Sequence, residues 1–165
     1  MIPVLEKINN KIRTVGELLP TLKEIKRTGG KVVFTNGCFD LLHRGHVDYL
    51  CRAKDLGTVL VVGLNSDDSV RRLKGPGRPV QTESDRALLL ASLETVDFVV
   101  IFKEDTPYIL IRELEPDVLV KGGDWKPDEV VGSDLVRSRG GRVETIEYLE
   151  GRSTTSLIER IKSSV

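Results

Sequence analysis

The 165-residue chain has few cysteines, no net charge and no long apolar run, and each of these features argues against a class of protein. Two cysteines, Cys38 and Cys51, cannot form a disulfide framework and lack the spacing of a metal-binding pair, which favours a reducing cytoplasm. Its 25 basic and 25 acidic residues cancel, which argues against a general binder of nucleic acid or membrane surfaces. No apolar run approaches the ~18 residues of a membrane span, and the N-terminus lacks the apolar core of a secretory signal.

The remaining composition is that of a globular domain. Hydrophobic residues make up 39% of the chain and charged residues 30%, and the length is sufficient to bury a core. Short apolar runs predict strands near residues 31–35, 59–64, 98–102, 118–120 and 143–146, with helical segments between them. This alternation predicts an α/β, Rossmann-like three-layer fold, with a five-stranded, mostly parallel sheet and helices on both faces.

The domain organisation follows from the same pattern. Residues 1–30 are predicted to form a leading helical extension that packs on a single domain of residues 31–165. The pair Asn36–Gly37 is expected to end the first strand. The last helix is expected to begin at Ser153 and to place Leu157, Ile158 and Ile161 on its buried side.

Both histidines of the chain, His43 and His46, lie in the turn that follows the first predicted strand. Gly37 allows a tight turn out of that strand, and Gly45 allows a ligand to approach the start of the next helix closely. Free backbone N–H groups and the helix dipole favour phosphate there. Because the histidines are three residues apart, they face the same way, and the turn is typical of a polyphosphate site.

Two other interpretations of the histidine turn stay open from the residues alone. The histidines are ordinary polar surface residues in the first. In the second, they bind zinc together with Cys38, although a structural zinc site needs four ligands and no further cysteine–histidine cluster supplies the fourth.

The turn also carries a recognisable motif. The pattern G-x-F-D-x-x-H-x-G-H, which resembles the signature of the nucleotidylyltransferase superfamily, is matched at Gly37, Phe39, Asp40, His43, Gly45 and His46. Further segments extend the similarity over residues 32–160 to the adenylyltransferases of bacterial ADP-heptose synthesis. These segments are residues 65–67, 72–75, 77–79, 120–124 and 153–155.

The resemblance implies a reaction and its partners. ATP and D-glycero-β-D-manno-heptose 1-phosphate would give ADP-heptose and pyrophosphate, for the lipopolysaccharide core. It also implies a cytoplasmic location, a separate heptose kinase acting earlier, and a possible homodimer. Mg²⁺ is expected because the phosphates of ATP normally carry and hold it, and no protein ligand is assigned to it. No nucleic acid or membrane partner is expected.

The resemblance also implies a role for individual residues. Charge stabilisation at the reacting phosphates is assigned to His43, His46 and Lys74. Nucleotide binding is assigned to Cys38, Phe39, Gly45, Lys121, Gly122, Gly123, Asp124, Ser153, Thr154 and Thr155. Contact with the phosphate or the sugar of the second substrate is assigned to Asp40, Arg78 and Arg86.

Several alternatives remain at this stage. The basic segment 71–78 is also typical of a solvated loop, and Trp125 could either stack on a ring or close the edge of the core. Related cytidylyltransferases read R-T-x-G-I-S-T-T before the last helix, whereas this chain has Glu150-Gly151-Arg152 there and lacks the arginine–threonine pair. A cytidylyltransferase for glycerol phosphate or another alcohol phosphate is therefore the second candidate, and a non-catalytic nucleotide-binding module is the third.

Overall fold

A computed structural model describes residues 2–123, 125–148, 151 and 154–164 of the chain. Its five strands are β1 (Val32–Gly37), β2 (Val59–Asn65), β3 (Phe98–Phe102), β4 (Val118–Gly122) and β5 (Arg142–Ile146). They form one sheet in the order β3-β2-β1-β4-β5, and all four pairings are parallel. The predicted five-stranded α/β architecture is confirmed.

Eight α-helices lie among the described residues. They are α1 (Val4–Asn9), α2 (Val15–Arg27), α3 (Arg44–Lys54), α4 (Asp67–Lys74), α5 (Glu83–Ser92), α6 (Tyr108–Leu114), α7 (Ser133–Ser138) and α8 (Thr154–Ser163), and a short 3₁₀ turn covers Pro127–Glu129. None of these helices has both the length and the apolar character that crossing a bilayer requires.

The two faces of the sheet bury two separate apolar clusters, because successive side chains of a strand point to opposite faces. Val32 and Phe34 of β1 pack with apolar residues of α2, α6 and α7. Val33 packs with residues of α3 and α5 on the opposite face. Helices therefore cover both faces of the sheet, which confirms the predicted three layers.

The leading segment packs against the sheet through α2. Thr14 caps this helix in a reciprocal arrangement, since its backbone N–H donates to Glu17 at 2.8 Å while its hydroxyl accepts from the Glu17 N–H. Leu18 and Leu22 are fully buried in the same cluster as Phe34. The predicted leading helix is thus present, with its apolar side against the sheet.

Two local predictions were wrong. Asn36 and Gly37 do not end β1, because they continue its parallel pairing with Gly63 and Leu64 of β2. Ile161 is not buried but 54% exposed, and α8, which follows the edge strand β5, has no fully buried residue.

The order of the strands creates a crevice at the centre of the sheet. The chain runs outward from β1 through β2 to β3 and then returns to the other side of β1 as β4. The connections after β1 and β4 therefore lead to opposite sides, and a ligand-binding crevice is expected beyond their carboxyl ends.

Candidate active site

A cleft of about 710 Å³ opens at this crevice, a volume within the usual range of small-molecule sites. Its walls come from the segments that follow all five strands. Of the residues singled out from the sequence, it is lined by Cys38, Phe39, Asp40, His43, Gly45, His46, Lys74, Arg78, Lys121, Gly122, Thr154 and Thr155. The structure thus brings together side chains that are more than 100 positions apart in the sequence.

His43 caps α3 with its own ring. Its Nδ1 accepts a hydrogen bond from the Gly45 N–H at 3.1 Å, so in the neutral ring the proton is on Nε2. The His46 N–H donates to the His43 carbonyl at 2.9 Å. The expectation of free backbone donors at this helix start is therefore only partly met, since the N–H groups of Gly45 and His46 are engaged by His43.

The two imidazoles are stacked. Their centroids lie 3.8 Å apart with an interplanar angle of 23°, and the Phe39 ring meets His46 at 5.1 Å in an edge arrangement. Burial, followed by the neighbouring His43, lowers the pKa of His46 to about 4, while the backbone of Leu41 acts in the opposite direction. At neutral pH His46 is therefore an uncharged imidazole.

Phe39 supports this pair from an unusual backbone conformation. Its φ is +42°, in the left-handed region, and its side chain is 6% exposed. The ring lies over Gly37, where a Cβ atom would stand 3.0 Å from Cε2 of Phe39. A side chain at position 37 would therefore displace the Phe39 ring by a few tenths of an ångström, and glycine leaves the ring free to reach His46.

The basic segment 71–78 contributes one cation to the cleft without a described ion pair. Three of its four basic side chains are paired with acids, in the pairs Arg71–Asp68, Arg72–Asp105 and Arg78–Asp40. Among the described residues Lys74 has no such partner, and it lies on the cleft wall. This placement favours a ligand role for Lys74 over a purely solvated loop.

Lys121 and Cys38 lie in the same electrostatic environment. Burial lowers the pKa of Lys121, and Lys74 acts in the same direction while Cys38 opposes it. Burial also raises the pKa of the Cys38 thiol, against the opposing charges of Lys74, Arg86 and Arg78. The floor of the cleft is cationic, and its thiol is protonated at neutral pH and unsuited to act as a nucleophile.

The Asp40 carboxylate is engaged in hydrogen bonds with other groups of the protein. Asp40 is 2% exposed. Its carboxylate accepts hydrogen bonds from the Arg78 guanidinium, from the Val80 N–H at 2.7 Å and from the Gln81 N–H at 3.2 Å. Both of its oxygens hold the loop 75–82 against the histidine turn. In this arrangement Asp40 acts on the loop, and Arg78 is the member of the pair with more access to the cleft.

Arg86 does not lie on the cleft wall. Its side chain is 0% exposed, and its guanidinium donates to acceptors of the protein on every side. The prediction that Arg86 contacts the substrate directly therefore gains no support from this structure, because the side chain is buried and does not line the cleft.

The glycine segment after β4 is covered by an aromatic side chain. A Cβ atom on Gly122 would stand 2.5 Å from Cε1 of Tyr148, so the Tyr148 ring lies directly against this backbone. Gly123 has a φ of +103°, donates its N–H to the Ile146 carbonyl at 3.0 Å, and is not among the residues that line the cleft. Asp124 lies outside the described residues.

The start of α8 reaches the cleft beside the histidine turn. The Thr154 hydroxyl donates to the Leu41 carbonyl at 3.4 Å, and Thr155 lies on the cleft wall. Ser153, the predicted first residue of this helix, lies outside the described residues.

Sequence reasoning did not single out several residues of the cleft. Asp105 follows β3, Tyr148 follows β5, and Glu129 belongs to the 3₁₀ turn. The rule that ligands lie beyond the carboxyl ends of parallel strands could have found the first two. Trp125 is 50% exposed on the cleft wall, which favours contact with a ligand over closing the core.

The zinc interpretation gains no support from the geometry. Within the part of the chain that the structure describes, no group of three histidine, cysteine, aspartate or glutamate side chains is arranged to hold a metal ion. The stacked rings of His43 and His46 instead present a surface that suits an anionic ligand beside Lys74.

The cleft at the switch point of this parallel sheet combines a stacked histidine pair with two lysines, a lining that suits the polyphosphate of a nucleotide and is consistent with a nucleotidyltransferase. The chain belongs to the cytidylyltransferase-like family, which matches residues 34–160.

Comparison with individual proteins narrows this class. The chain is 60% identical over 153 residues to the bifunctional protein HldE of Syntrophotalea carbinolica, covering 93% of this chain and 31% of that protein. It is 59% identical over 141 residues to the bifunctional protein HldE of Nitratiruptor sp., covering 86% and 30%. The chain thus spans about a third of the length of the curated relatives it matches.

One solved structure is similar over its whole length. The crystal structure of the lipopolysaccharide core biosynthesis protein from Thermoplasma volcanium GSS1 superimposes with a TM-score of 0.61 and 31% sequence identity. The match covers 75% of this chain and 100% of that one.

Proposed function

We propose that this protein transfers AMP from ATP to D-glycero-β-D-manno-heptose 1-phosphate, giving ADP-heptose and pyrophosphate for the lipopolysaccharide core. The observation that carries the proposal is that the stacked His43–His46 pair and Lys74 line the same cleft, which is of nucleotide size. The identity of about 60% to a bifunctional HldE protein supports the choice of substrate, as does the similarity to a lipopolysaccharide core biosynthesis protein.

The reaction needs little acid–base chemistry from the protein. The sugar phosphate is mostly a dianion at pH 7, because its second pKa is near ~6. One of its oxygens attacks the α-phosphorus of ATP, a new P–O bond forms, the bond from the α-phosphorus to the bridging oxygen breaks, and pyrophosphate leaves with both bonding electrons. Catalysis then depends on positioning the two anions and on stabilising the charge at the reacting centre.

The histidine turn supplies that stabilisation. The Nε2–H of His43 donates to a phosphate oxygen, because its Nδ1 is committed to the Gly45 N–H. His46 acts as a neutral imidazole, in line with its lowered pKa. Lys74 adds the positive charge that the pyrophosphate requires as it leaves.

The two substrates occupy different sides of the cleft. ATP lies toward β4 and α8, where Lys121, Gly122, Thr154 and Thr155 line the wall, and Asp124 and Ser153 are assigned to the same side from the sequence. Backbone contacts from Cys38, Phe39 and Gly45 complete the nucleotide site. The sugar phosphate lies toward the loop 75–82, where Arg78 and Lys74 face it.

The wider setting follows from this chemistry. ATP enters as its Mg²⁺ complex, with the ion held mainly by phosphate oxygens. A separate sugar kinase supplies the 1-phosphate, the reaction takes place in the cytoplasm, and the protein works as a homodimer without nucleic acid or membrane.

A second candidate is a cytidylyltransferase acting on an alcohol phosphate such as glycerol phosphate. The cytidylyltransferase-like family match keeps this candidate open. A non-catalytic nucleotide-binding module is disfavoured by Lys74, which lines the cleft and has no ion pair among the described residues.

A substrate matrix distinguishes these candidates. Wild-type protein is incubated with Mg²⁺ and either ATP or CTP, each paired with heptose 1-phosphate, glycerol 3-phosphate or a hexose 1-phosphate, and pyrophosphate release is measured. The proposal expects the highest kcat/KM for ATP with heptose 1-phosphate. Preference for CTP with glycerol phosphate would select the second candidate, and nucleotide binding without turnover in any pair would select the third.

A further inference from the structure

Arg86 is the largest fully buried side chain of the described chain, and it carries a charge. A buried cation is costly unless its donors are satisfied, and replacing such a group by a well-packed apolar one is often neutral or stabilising. Stability alone therefore does not explain an arginine at this position of α5. Its contacts suggest another purpose.

The guanidinium makes four hydrogen bonds to four separate acceptors. Nη1 donates to the Cys38 carbonyl at 2.6 Å and to the Asn65 carbonyl at 2.9 Å. Nε donates to the Gln81 carbonyl at 3.1 Å. Nη2 donates to Oδ1 of Asp67 at 2.7 Å.

These acceptors belong to the three segments that surround the proposed reaction centre on one side. Cys38 lies in the turn between β1 and α3 that carries both histidines. Asn65 ends β2, and Asp67 begins α4, whose last residue is Lys74. Gln81 lies in the loop 75–82, and its backbone N–H donates to the Asp40 carboxylate. None of the four acceptors lies on β4, β5 or α8, and only Cys38 also belongs to the proposed nucleotide site, through its backbone.

We infer that Arg86 is a positioning residue for nucleotidyl transfer. Its planar guanidinium, with the four hydrogen bonds described above, fixes the histidine turn, the start of α4 and the loop 75–82 relative to one another. It does so without contacting either substrate. The inference rests on the proposed function to the extent that this turn is the reaction centre. Loss of the Arg86 guanidinium should therefore impair the chemical step much more than the binding of ATP.

The first experiment separates these two quantities in Arg86→Ala. We expect kcat to fall by roughly 10²-fold, by analogy with other losses of preorganised charge stabilisation. We expect the dissociation constant of ATP to change by less than about threefold, a small free-energy change. ATP binding can be followed by the fluorescence of Trp125, the only tryptophan of the chain, which lies on the cleft wall.

Leu90→Ala provides the matched control. Leu90 lies on the same helix and is also fully buried, but its side chain is apolar and makes no hydrogen bond to a cleft segment. It should lower the melting temperature while leaving kcat close to that of wild type at a temperature where both variants are folded.

Rescue of kcat by added guanidinium distinguishes a positioning role of Arg86 from a purely structural one. Arg86→Ala leaves a cavity with four unsatisfied acceptors, so added guanidinium chloride should restore kcat at least tenfold. The concentration is kept where the melting temperature of wild type is unchanged. The same salt should leave wild type and Leu90→Ala unaffected.

If the Arg86→Ala variant does not fold, Arg86→Lys tests the positioning role instead. Lysine keeps the charge but cannot reproduce the planar guanidinium, so kcat should still fall more than tenfold in a folded protein. Wild-type kcat in either Arg86 variant would overturn the inference, and so would a loss in a folded Arg86→Ala that guanidinium fails to restore. A wild-type chain without turnover of any sugar phosphate would contradict the proposed function and this inference together, whereas an active wild type with an equally active variant would contradict the inference alone.

Discussion

At the residue scale, the site depends on the environment of two histidines more than on their number. His43 uses one ring nitrogen to cap its own helix, which fixes where its proton lies. Phe39 and His43 enclose His46 and keep it uncharged at neutral pH. The positive charge of the cleft wall therefore comes from Lys74, Lys121 and Arg78, and His46 contributes an uncharged ring.

Replacing His46 tests its contribution to the rate. His46→Ala should lower kcat by roughly 10²-fold, the usual cost of removing one preorganised donor at a reacting centre. The measurement is steady-state pyrophosphate release with both substrates saturating. Val47→Ala, which removes a neighbouring side chain that is 39% exposed, should remain near wild type. A near-normal rate for His46→Ala would remove this histidine from the catalytic account.

The lowered pKa of His46 also has a consequence for stability. The unfolded chain takes up a proton near pH 6.5, whereas the folded chain does so only near pH 4, so stability falls as the pH drops between these values. Between pH 7 and pH 5, wild type should lose about 1 to 2 kcal/mol more than His46→Gln. Urea unfolding at the two pH values measures the difference. Equal losses in the two proteins would show that His46 titrates normally.

At the element scale, each wall of the cleft is a strand end or helix start held by a small number of contacts. The loop 75–82 is fixed by Asp40, the glycine segment after β4 is covered by Tyr148, and α8 touches the histidine turn through Thr154. Each attachment involves only one or two side chains, and it joins segments that are far apart in the sequence. They make the position of each wall sensitive to single side chains.

Gly122→Ala tests the wall formed by β4. The new methyl group would stand 2.5 Å from the Tyr148 ring, which must move away from the cleft wall. We expect the dissociation constant of ATP to rise by about tenfold, equivalent to about 1.4 kcal/mol. Gly77→Ala is the matched control, because its methyl group would meet nothing within 4 Å. Trp125 fluorescence titrations that give the same affinity for both variants would exclude this segment from nucleotide binding.

The leading helix α2 should contribute to the stability of the whole sheet. Leu22 is 1% exposed in the cluster that contains Phe34, so Leu22→Ala should lower the free energy of unfolding by about 2 to 5 kcal/mol. Lys23→Ala, on the exposed side of the same helix, should change it by less than about 0.5 kcal/mol. Denaturant unfolding compares them. If Leu22→Ala were as mild as the control, residues 1–30 would be a dispensable extension.

The elements themselves could be predicted because their signals are local. The apolar run Phe98–Phe102 and the capping residue Ser66 mark a strand and a helix start without reference to the rest of the chain. The extension of β1 through Gly37 could not be predicted in this way, because it depends on pairing with β2. The burial of Arg86 was missed for the same reason, since its four acceptors are spread over residues 38–81.

At the scale of the whole molecule, a neutral chain assembles a cationic site. Total charge is zero, yet Lys74 and Lys121 face the cleft while most neighbouring basic side chains are paired with acids. The strand order places both lysines at the same crevice, although they are on elements far apart in the sequence. Neutrality overall and attraction for polyphosphate locally are therefore compatible.

The fate of the α-phosphate of ATP tests the central claim most directly. Wild-type protein is incubated with Mg²⁺, heptose 1-phosphate and ATP labelled at the α-phosphorus, and the products are separated. The account predicts that the label moves into ADP-heptose in proportion to the unlabelled pyrophosphate released, and that His46→Ala slows this transfer. Label that remains in ATP, or that enters a sugar nucleotide at the same rate without His46, would contradict it.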